Sequence, residues 1–237
     1  MAARESRSRA DNPLADRLSR IVCYPYFALV HRFHWEGQEH IPRTGAVLFA
    51  ANHQSFYDPV LLSLASGRRI VYLAMQYYFR YPVLGRLMRF YDAVPVRAES
   101  PGPSAYGQMV RALRRGRACG IFPEGGRSPD GLPCPHRPGL GAMALRTGAP
   151  IVPVTIWGAH RAWPPWRALP RPGHIRMLFQ KPVEPGELVG GRLSNARQAR
   201  EEVTRAVMHR IVDGLEKLGY PRSARAARRR LRNAGHA

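Results

Sequence analysis

Apolar positions along this chain change period from a helical spacing to short continuous runs. Leu14, Leu18, Ile21 and Val22 recur at helical spacing with Arg17 and Arg20 between them, which predicts a first helix. Asn12-Pro13 has the form of its start, with asparagine as cap and proline at the first helical position. Pro25 is expected to interrupt it, since proline brings no N–H to the helix. Tyr24, Tyr26, Phe27, Leu29, Phe33 and Trp35 follow, mixed with His31, Arg32 and His34. From residue 46 onward, apolar runs alternate with amphipathic segments. Strands are expected at 46–51, 70–75, 93–96, 118–122, 151–157 and 175–180. Helices are expected at 59–65, 82–90, 104–115, 139–147 and 195–218, the last with Val203, Val207, Ile211 and Leu215 on one stripe. This alternation predicts an α/β fold, a mainly parallel sheet flanked by helices. Ligands of such sheets sit at the carboxyl ends of the strands.

Length and apolar content, 237 residues and 45%, suit one domain with one good-sized core. Charge adds more: 37 Lys+Arg stand against 16 Asp+Glu, a net +21. An anionic partner is expected, whether nucleic acid, an acidic membrane surface or a phosphorylated substrate. Lys181 and Lys217 are the only lysines, a bias that genomic base composition can produce, so the sign of the charge carries weight and the arginine preference does not. Nucleic acid is not expected, because no recognised binding module is present and the basic residues do not alternate with a stacking platform. Cys23, Cys119 and Cys134 have neither metal-ligand spacing nor an even framework, and read as reduced thiols in a cytosolic setting.

The first twenty residues are polar and charged, without the form of a secretory signal. The charge-free stretch 21–30 is too short to span a bilayer. Residues 1–35 therefore read as an N-terminal amphipathic helical segment, either lying in a membrane interface or packed on the core. From Tyr220 to the end there are six arginines and no acid. This basic tail, 220–237, is expected to be solvated and disordered, with a phosphate-seeking membrane arm as the alternative.

Two strand ends carry unusual polar clusters. The first is Asn52-His53-Gln54-Ser55-Phe56-Tyr57-Asp58-Pro59. A histidine can take a proton from a hydroxyl, and a carboxylate on its other ring nitrogen fixes the tautomer and steadies the imidazolium. Asp58 before Pro59 equally has the form of a helix cap, and His53 could be a core residue. The second cluster is Phe122-Pro123-Glu124-Gly125-Gly126-Arg127-Ser128, where glycines allow close backbone approach and arginine offers a fork suited to phosphate. A surface turn is the plainer reading. Arg97, after the strand at 93–96, is either a second phosphate contact or a solvated arginine. Val152-Pro153-Val154 shapes a pocket wall or marks a sheet edge.

Taken in order, Asn52-His53-x-x-x-x-Asp58, Val94-Pro95-Val96-Arg97, Phe122-Pro123-Glu124-Gly125-x-Arg127-Ser128 and Val152-Pro153-Val154 resemble the four motifs of the glycerolipid acyltransferase family. The resemblance covers roughly residues 35 to 160. It implies that His53 is the general base and Asp58 its partner. Glu124, Gly125 and Arg127 would bind the phosphoglycerol part of the acceptor, Arg97 would also contact its phosphate, and Pro153 would help form the acyl-donor site. The implied reaction moves an acyl group from acyl-CoA or acyl carrier protein to the free sn-2 hydroxyl of lysophosphatidic acid, giving phosphatidic acid in phospholipid biosynthesis, with no metal or bound cofactor. Two departures bear on the acceptor: Gly126 stands where the family commonly has threonine, and Asp92-Ala93 where glycine often precedes the second motif. Another lysophospholipid, a lyso-aminolipid or a glycolipid is the neighbouring alternative. A non-catalytic basic membrane- or nucleic-acid-binding protein is the distant one. The expected organisation is an interfacial segment at 1–35, an acyltransferase domain at 36–219 and the basic tail, attached peripherally or monotopically to the cytoplasmic face of the cell membrane.

Overall fold

The computed structural model describes residues 13–90, 93–97, 102–189 and 195–234. Helix α1 (Pro13–His31) leads into strand β1 (His34–Glu36), and β2 (Val47–Ala51) begins the alternating part of the chain. There follow α2 (Asp58–Ser66), β3 (Ile70–Met75), α3 (Pro82–Phe90), β4 (Val94–Val96), α4 (Pro103–Arg114) and β5 (Ala118–Ile121). Beyond a long loop lie α5 (Gly139–Thr147), β6 (Ile151–Trp157), the single turn α6 (Ala159–Ala162), β7 (Arg176–Phe179), α7 (Pro185–Val189), α8 (Ala196–Lys217) and α9 (Pro221–Ala234). The strands form one sheet in the order β1-β7-β6-β2-β5-β3-β4. Every neighbouring pair is parallel except β6 with β7. The α/β architecture expected from the sequence is the one found. Strand β1 and the short helices α6 and α7 were not expected, because these segments of three to five residues carry no apolar run of the kind that marked β4 and β7.

Strand β2 lies between β5 and β6 and is buried along its whole length. Its side chains alternate between the two faces, as the pleat requires. Val47, Phe49 and Ala51 pack with Leu61, Leu62 and Ala65 of α2 and Phe27 of α1. Leu48 and Ala50 pack with Leu113 of α4, Met143 of α5, and Val203, Val207 and Ile211 of α8. The predicted stripe on α8 is thus the buried one, and Asn195 caps that helix by accepting from the Gln198 N–H at 2.9 Å. Cys119 sits in this second layer, where burial pushes its thiol up to about 12.

Pro153 occupies a central strand, not the sheet edge that a strand proline suggests. Val154 pairs with Phe179 but Ile151 with Val183, so the chain beside β6 carries one residue more than β6 does over this stretch. The proline sits at that bulge, where a ladder donor is dispensable.

Two expectations at the ends of the chain are corrected. Helix α1 runs on through Pro25. Pro25 and Ile21 are both exposed, so the Ile21 carbonyl, which loses its helical partner, lies on a face open to solvent. Asn12, expected as the cap, lies outside the described residues, as do the side chains of 13–20. His31 belongs to no basic face: it is fully buried beside Tyr26, Phe27 and Tyr57, and burial pushes its pKa down. The basic tail is helix α9, not solvated chain. Ala224 and Ala227 are buried with Val212 and Leu215 of α8, and Arg228 binds Asp213 at 2.7 Å and Glu216 at 2.6 Å. Two of the acids that pair with the tail lie on α8, earlier in the sequence.

Where β2 ends, Asn52 continues its pairing with a side chain. Asn52 Nδ2 donates to the Ile156 carbonyl at 3.0 Å and its Oδ1 accepts from the Ile156 N–H at 2.8 Å. Asn52 is fully buried, so Asn52→Ala leaves two backbone groups without partners. That substitution is expected to destabilise the fold by about 2–4 kcal/mol, measured by urea unfolding. A loss under about 1 kcal/mol would mean that the clamp contributes little.

Candidate active site

Directly after this clamp comes His53, whose position follows from the end of β2. Its Nδ1 lies 2.8 Å from Asp58 Oδ2. The same oxygen accepts from the N–H groups of Gln54 at 2.5 Å and Ser55 at 2.7 Å. Asp58 is fully buried at the start of α2. It does not cap that helix: Tyr57 holds the cap position and makes no side-chain cap bond. The carboxylate turns back into the loop it closes, while the positive end of the helix favours its charge. As an acceptor, Asp58 selects the tautomer with a proton on His53 Nδ1, leaving the lone pair on Nε2. The His53 side chain keeps 18% of its exposure. Its ring stacks on Phe122 at 4.1 Å, and Phe122 in turn lies parallel to Tyr72.

The loop after β5 meets this one through backbone bonds in both directions. His53 N–H donates to Glu124 Oε1 at 2.8 Å, and Ser128 N–H donates to the His53 carbonyl at 2.7 Å. The second oxygen of Glu124 accepts from the Cys134 N–H at 2.9 Å. Both oxygens of Glu124 are therefore turned inward onto the backbone. Burial pushes its carboxyl up to about 8, against the pull of its two N–H donors. Gly125 has φ +75°, a conformation that a side chain would strain, and a Cβ there would also press on Arg137 at 3.0 Å. Gly126 is different: a Cβ would meet nothing within 4 Å, so the threonine common in the family would fit.

Arg127 lies across the junction, its guanidinium carbon 3.6 Å from the centre of the Phe56 ring. Its Nη1 is buried and has no hydrogen-bond partner. His53, Asp58, Glu124, Gly125 and Arg127 thus gather on two touching loops. Arg97 follows β4 at the same edge of the sheet, exposed and two strands beyond β5. Pro153 is buried within β6, opposite Ala50. Gln54 was not singled out from the sequence, yet its Nε2 donates to the Gly131 carbonyl at 2.6 Å and ties the loops a third time. Nothing in its type or spacing marks it. Among the described residues, no group of three His, Cys, Asp or Glu side chains could hold a metal ion.

The arrangement offers an oriented base with an open nitrogen beside an arginine with an unfilled donor. A family model described as Acyltransferase matches residues 32–157, more than half of the chain and both loops. The chain belongs to the acyltransferase family. Among acyltransferases it is 28% identical over 174 residues to a chloroplast 1-acyl-sn-glycerol-3-phosphate acyltransferase of Brassica napus, a match that covers 72% of this chain and 49% of that one. It is 26% identical over 147 residues to the Bacillus subtilis 1-acyl-sn-glycerol-3-phosphate acyltransferase, covering 62% and 71%. The crystal structure of the 1-acyl-sn-glycerophosphate acyltransferase PlsC from Thermotoga maritima superposes with a TM-score of 0.71 at 27% identity, covering 86% of this chain and 79% of that one. The matched region spans about half the length of the plant relatives.

The raised pKa of Glu124 has a consequence for stability. Between the ordinary carboxylate value of 4.5 and about 8, the folded protein keeps a proton that the unfolded chain releases. This stabilisation is full below 4.5 and lost as pH rises through about 8. Urea midpoints taken from pH 5 to 9 are expected to fall across that window, and more gently in Glu124→Gln. Equal slopes in the two proteins would contradict the assignment.

Proposed function

We propose that this acyltransferase moves a fatty acyl group from acyl-CoA or acyl carrier protein to the free sn-2 hydroxyl of lysophosphatidic acid, giving phosphatidic acid for phospholipid biosynthesis. The observation that carries the reading is the 2.8 Å pairing of His53 with buried Asp58, next to an Arg127 whose Nη1 has no partner. The names of the Brassica, Bacillus and Thermotoga relatives support the acceptor.

In this mechanism Nε2 of His53 removes the proton of the acceptor hydroxyl as that oxygen attacks the thioester carbonyl. A carbon–oxygen bond forms, the carbon–sulfur bond breaks, and the leaving thiolate takes the proton back from Nε2. No acyl-enzyme is needed, because the acceptor is itself the nucleophile. Asp58 steadies the imidazolium between the two proton transfers. Arg127 offers a forked donor to the acceptor phosphate, with Arg97 as a second cation. Glu124 and Gly125 shape the loop around the phosphoglycerol part, and Pro153 lies on the acyl-donor side.

A lipid acceptor calls for work at a membrane interface. Helix α1 supports this with an exposed apolar stripe, Ile21 at 68%, Pro25, and Leu29 at 81%, opposite the docked Phe27. No described helix is long and apolar enough to cross a membrane. On the strength of this exposed stripe we read the attachment as peripheral or monotopic, at the cytoplasmic face of the cell membrane. Because Phe27 belongs to the core, the suitable test is Ile21→Asp with Leu29→Asp and not removal of the helix. Sedimentation with anionic vesicles is expected to fall at least about tenfold, with the urea midpoint unchanged. Undiminished binding would exclude this face.

Purified protein given a labelled acyl thioester and a panel of lysolipids is expected to form phosphatidic acid from lysophosphatidic acid, identified by mass spectrometry. Product from only a lyso-aminolipid or a glycolipid would overturn the acceptor. Nucleic-acid binding without thioester consumption would overturn the reaction. His53→Ala is expected to lower kcat by about a thousandfold in a folded protein. Arg127→Ala is expected to raise KM about tenfold for phosphorylated acceptors and less for others.

A further inference from the structure

Arg127 is held in place by little of its own. Its guanidinium rests on Phe56 and its Nη1 has no partner, so its position is set by the backbone of the loop that carries it. The near half of that loop is fixed by the bonds between His53, Glu124 and Ser128. The far half is closed by short-range bonds. Ser128 Oγ donates to the Leu132 carbonyl at 2.7 Å, Gly131 N–H donates to Ser128 Oγ at 3.0 Å, and Leu132 N–H donates to Asp130 Oδ1 at 3.1 Å. Cys134 N–H completes the circuit at Glu124.

Two side chains from outside the family-matched region reach this far half: His160 Nε2 lies 3.0 Å from the Pro129 carbonyl, and Arg230 comes from α9. Arg230 of α9 lays its fork on both oxygens of Asp130, with Nη1 at 3.0 Å from Oδ1 and Nη2 on Oδ2. The same Nη1 reaches the Leu132 carbonyl at 3.4 Å and Cys134 Sγ at 3.5 Å. Three alternate residues of the loop thus meet one guanidinium. Asp130 is held well below the usual carboxylate range by this contact. The helix itself is anchored elsewhere, by its buried alanines and by Arg228 on Asp213 and Glu216 of α8. Arg228 and Arg230, two positions apart, lie on different flanks of α9. One fastens the helix to the domain and the other fastens the loop to the helix.

We infer that Arg230 is a positioning residue of the acyltransferase site: from α9 it holds the loop 123–134 in the conformation that aims Arg127 at the acceptor phosphate. This rests on the acceptor reading given above. The fork matters, since a lysine ammonium cannot engage both oxygens of Asp130 in the same way.

The test compares the full chain with Arg230→Ala, Arg230→Lys and Arg228→Ala, using two readouts. Amide hydrogen exchange at Ser128, Gly131, Leu132 and Cys134 reports the loop without any substrate. Steady-state kinetics with lysophosphatidic acid report its use. Arg230→Ala is expected to speed exchange at these amides and to raise the acceptor KM roughly fivefold, with kcat changed less than about twofold. Arg230→Lys should recover part of both effects. Arg228→Ala is expected to speed exchange along α9 first. Unchanged loop exchange in Arg230→Ala would overturn the inference. So would faster exchange with an unaltered KM, or an equal fall in kcat for every acceptor, which is the pattern of general destabilisation. If the unsubstituted protein acylates no lysolipid, the acceptor reading fails and loop exchange alone decides whether Arg230 holds the loop.

Discussion

The carboxyl group of Glu124 accepts one backbone N–H from His53 and another from Cys134, in a place closed to water. Few contacts in the molecule constrain so much. One oxygen fixes the peptide from which the His53 imidazole extends. The other fixes the far side of the loop that presents Arg127. A carboxyl buried this deeply must keep its partners, because an unpaired one would carry a large desolvation penalty. His53 and Arg127 are therefore parts of one junction and cannot drift independently.

That junction exists because of strand order. β2 and β5 are neighbours and parallel, so both loops leave the sheet at the same edge and on adjacent paths. Asn52 then fastens the end of β2 to β6 on its other side. By the time the chain reaches His53, its backbone has been held from both flanks. Asp58 supplies the last constraint by turning its carboxylate into the loop and not onto the helix end. The imidazole orientation thus follows from sheet pairing, one amide side chain and one carboxylate, with Phe122 lying flat against the ring.

The periphery shows how strongly composition can mislead. A segment with six arginines and no acid has the signature of a solvated tail. It is a docked helix because the carboxylates that receive its guanidinium groups, Asp213, Glu216 and Asp130, come from α8 and from the site loop. Exposed ion pairs of this kind are individually weak, so α9 also depends on its small apolar face against α8. Helix α1 combines two readings that the sequence kept apart. Phe27 and His31 are packed in the core, while Ile21 and Leu29 stay open to solvent.

Local pattern by itself determined the elements long enough to show a period, including β3, α3, α5 and β6 to the residue. It determined the α/β class, and the four motifs marked the residues of both loops. These features depend on neighbours in the chain: side-chain alternation, turn glycines and short spacings. Which role Asp58 plays was not decided there, since a cap and a histidine partner need the same residue at the same place. Nor could spacing tell that Glu124 faces its own backbone, that Gln54 and Asn52 tie loops and strands together, or that Arg230 reaches Asp130 from a hundred residues away. Those relations are made by side chains meeting across the fold. Only the tertiary structure decided them, because hydrogen-bond partners of buried groups are chosen by distance in space and leave no period in the sequence.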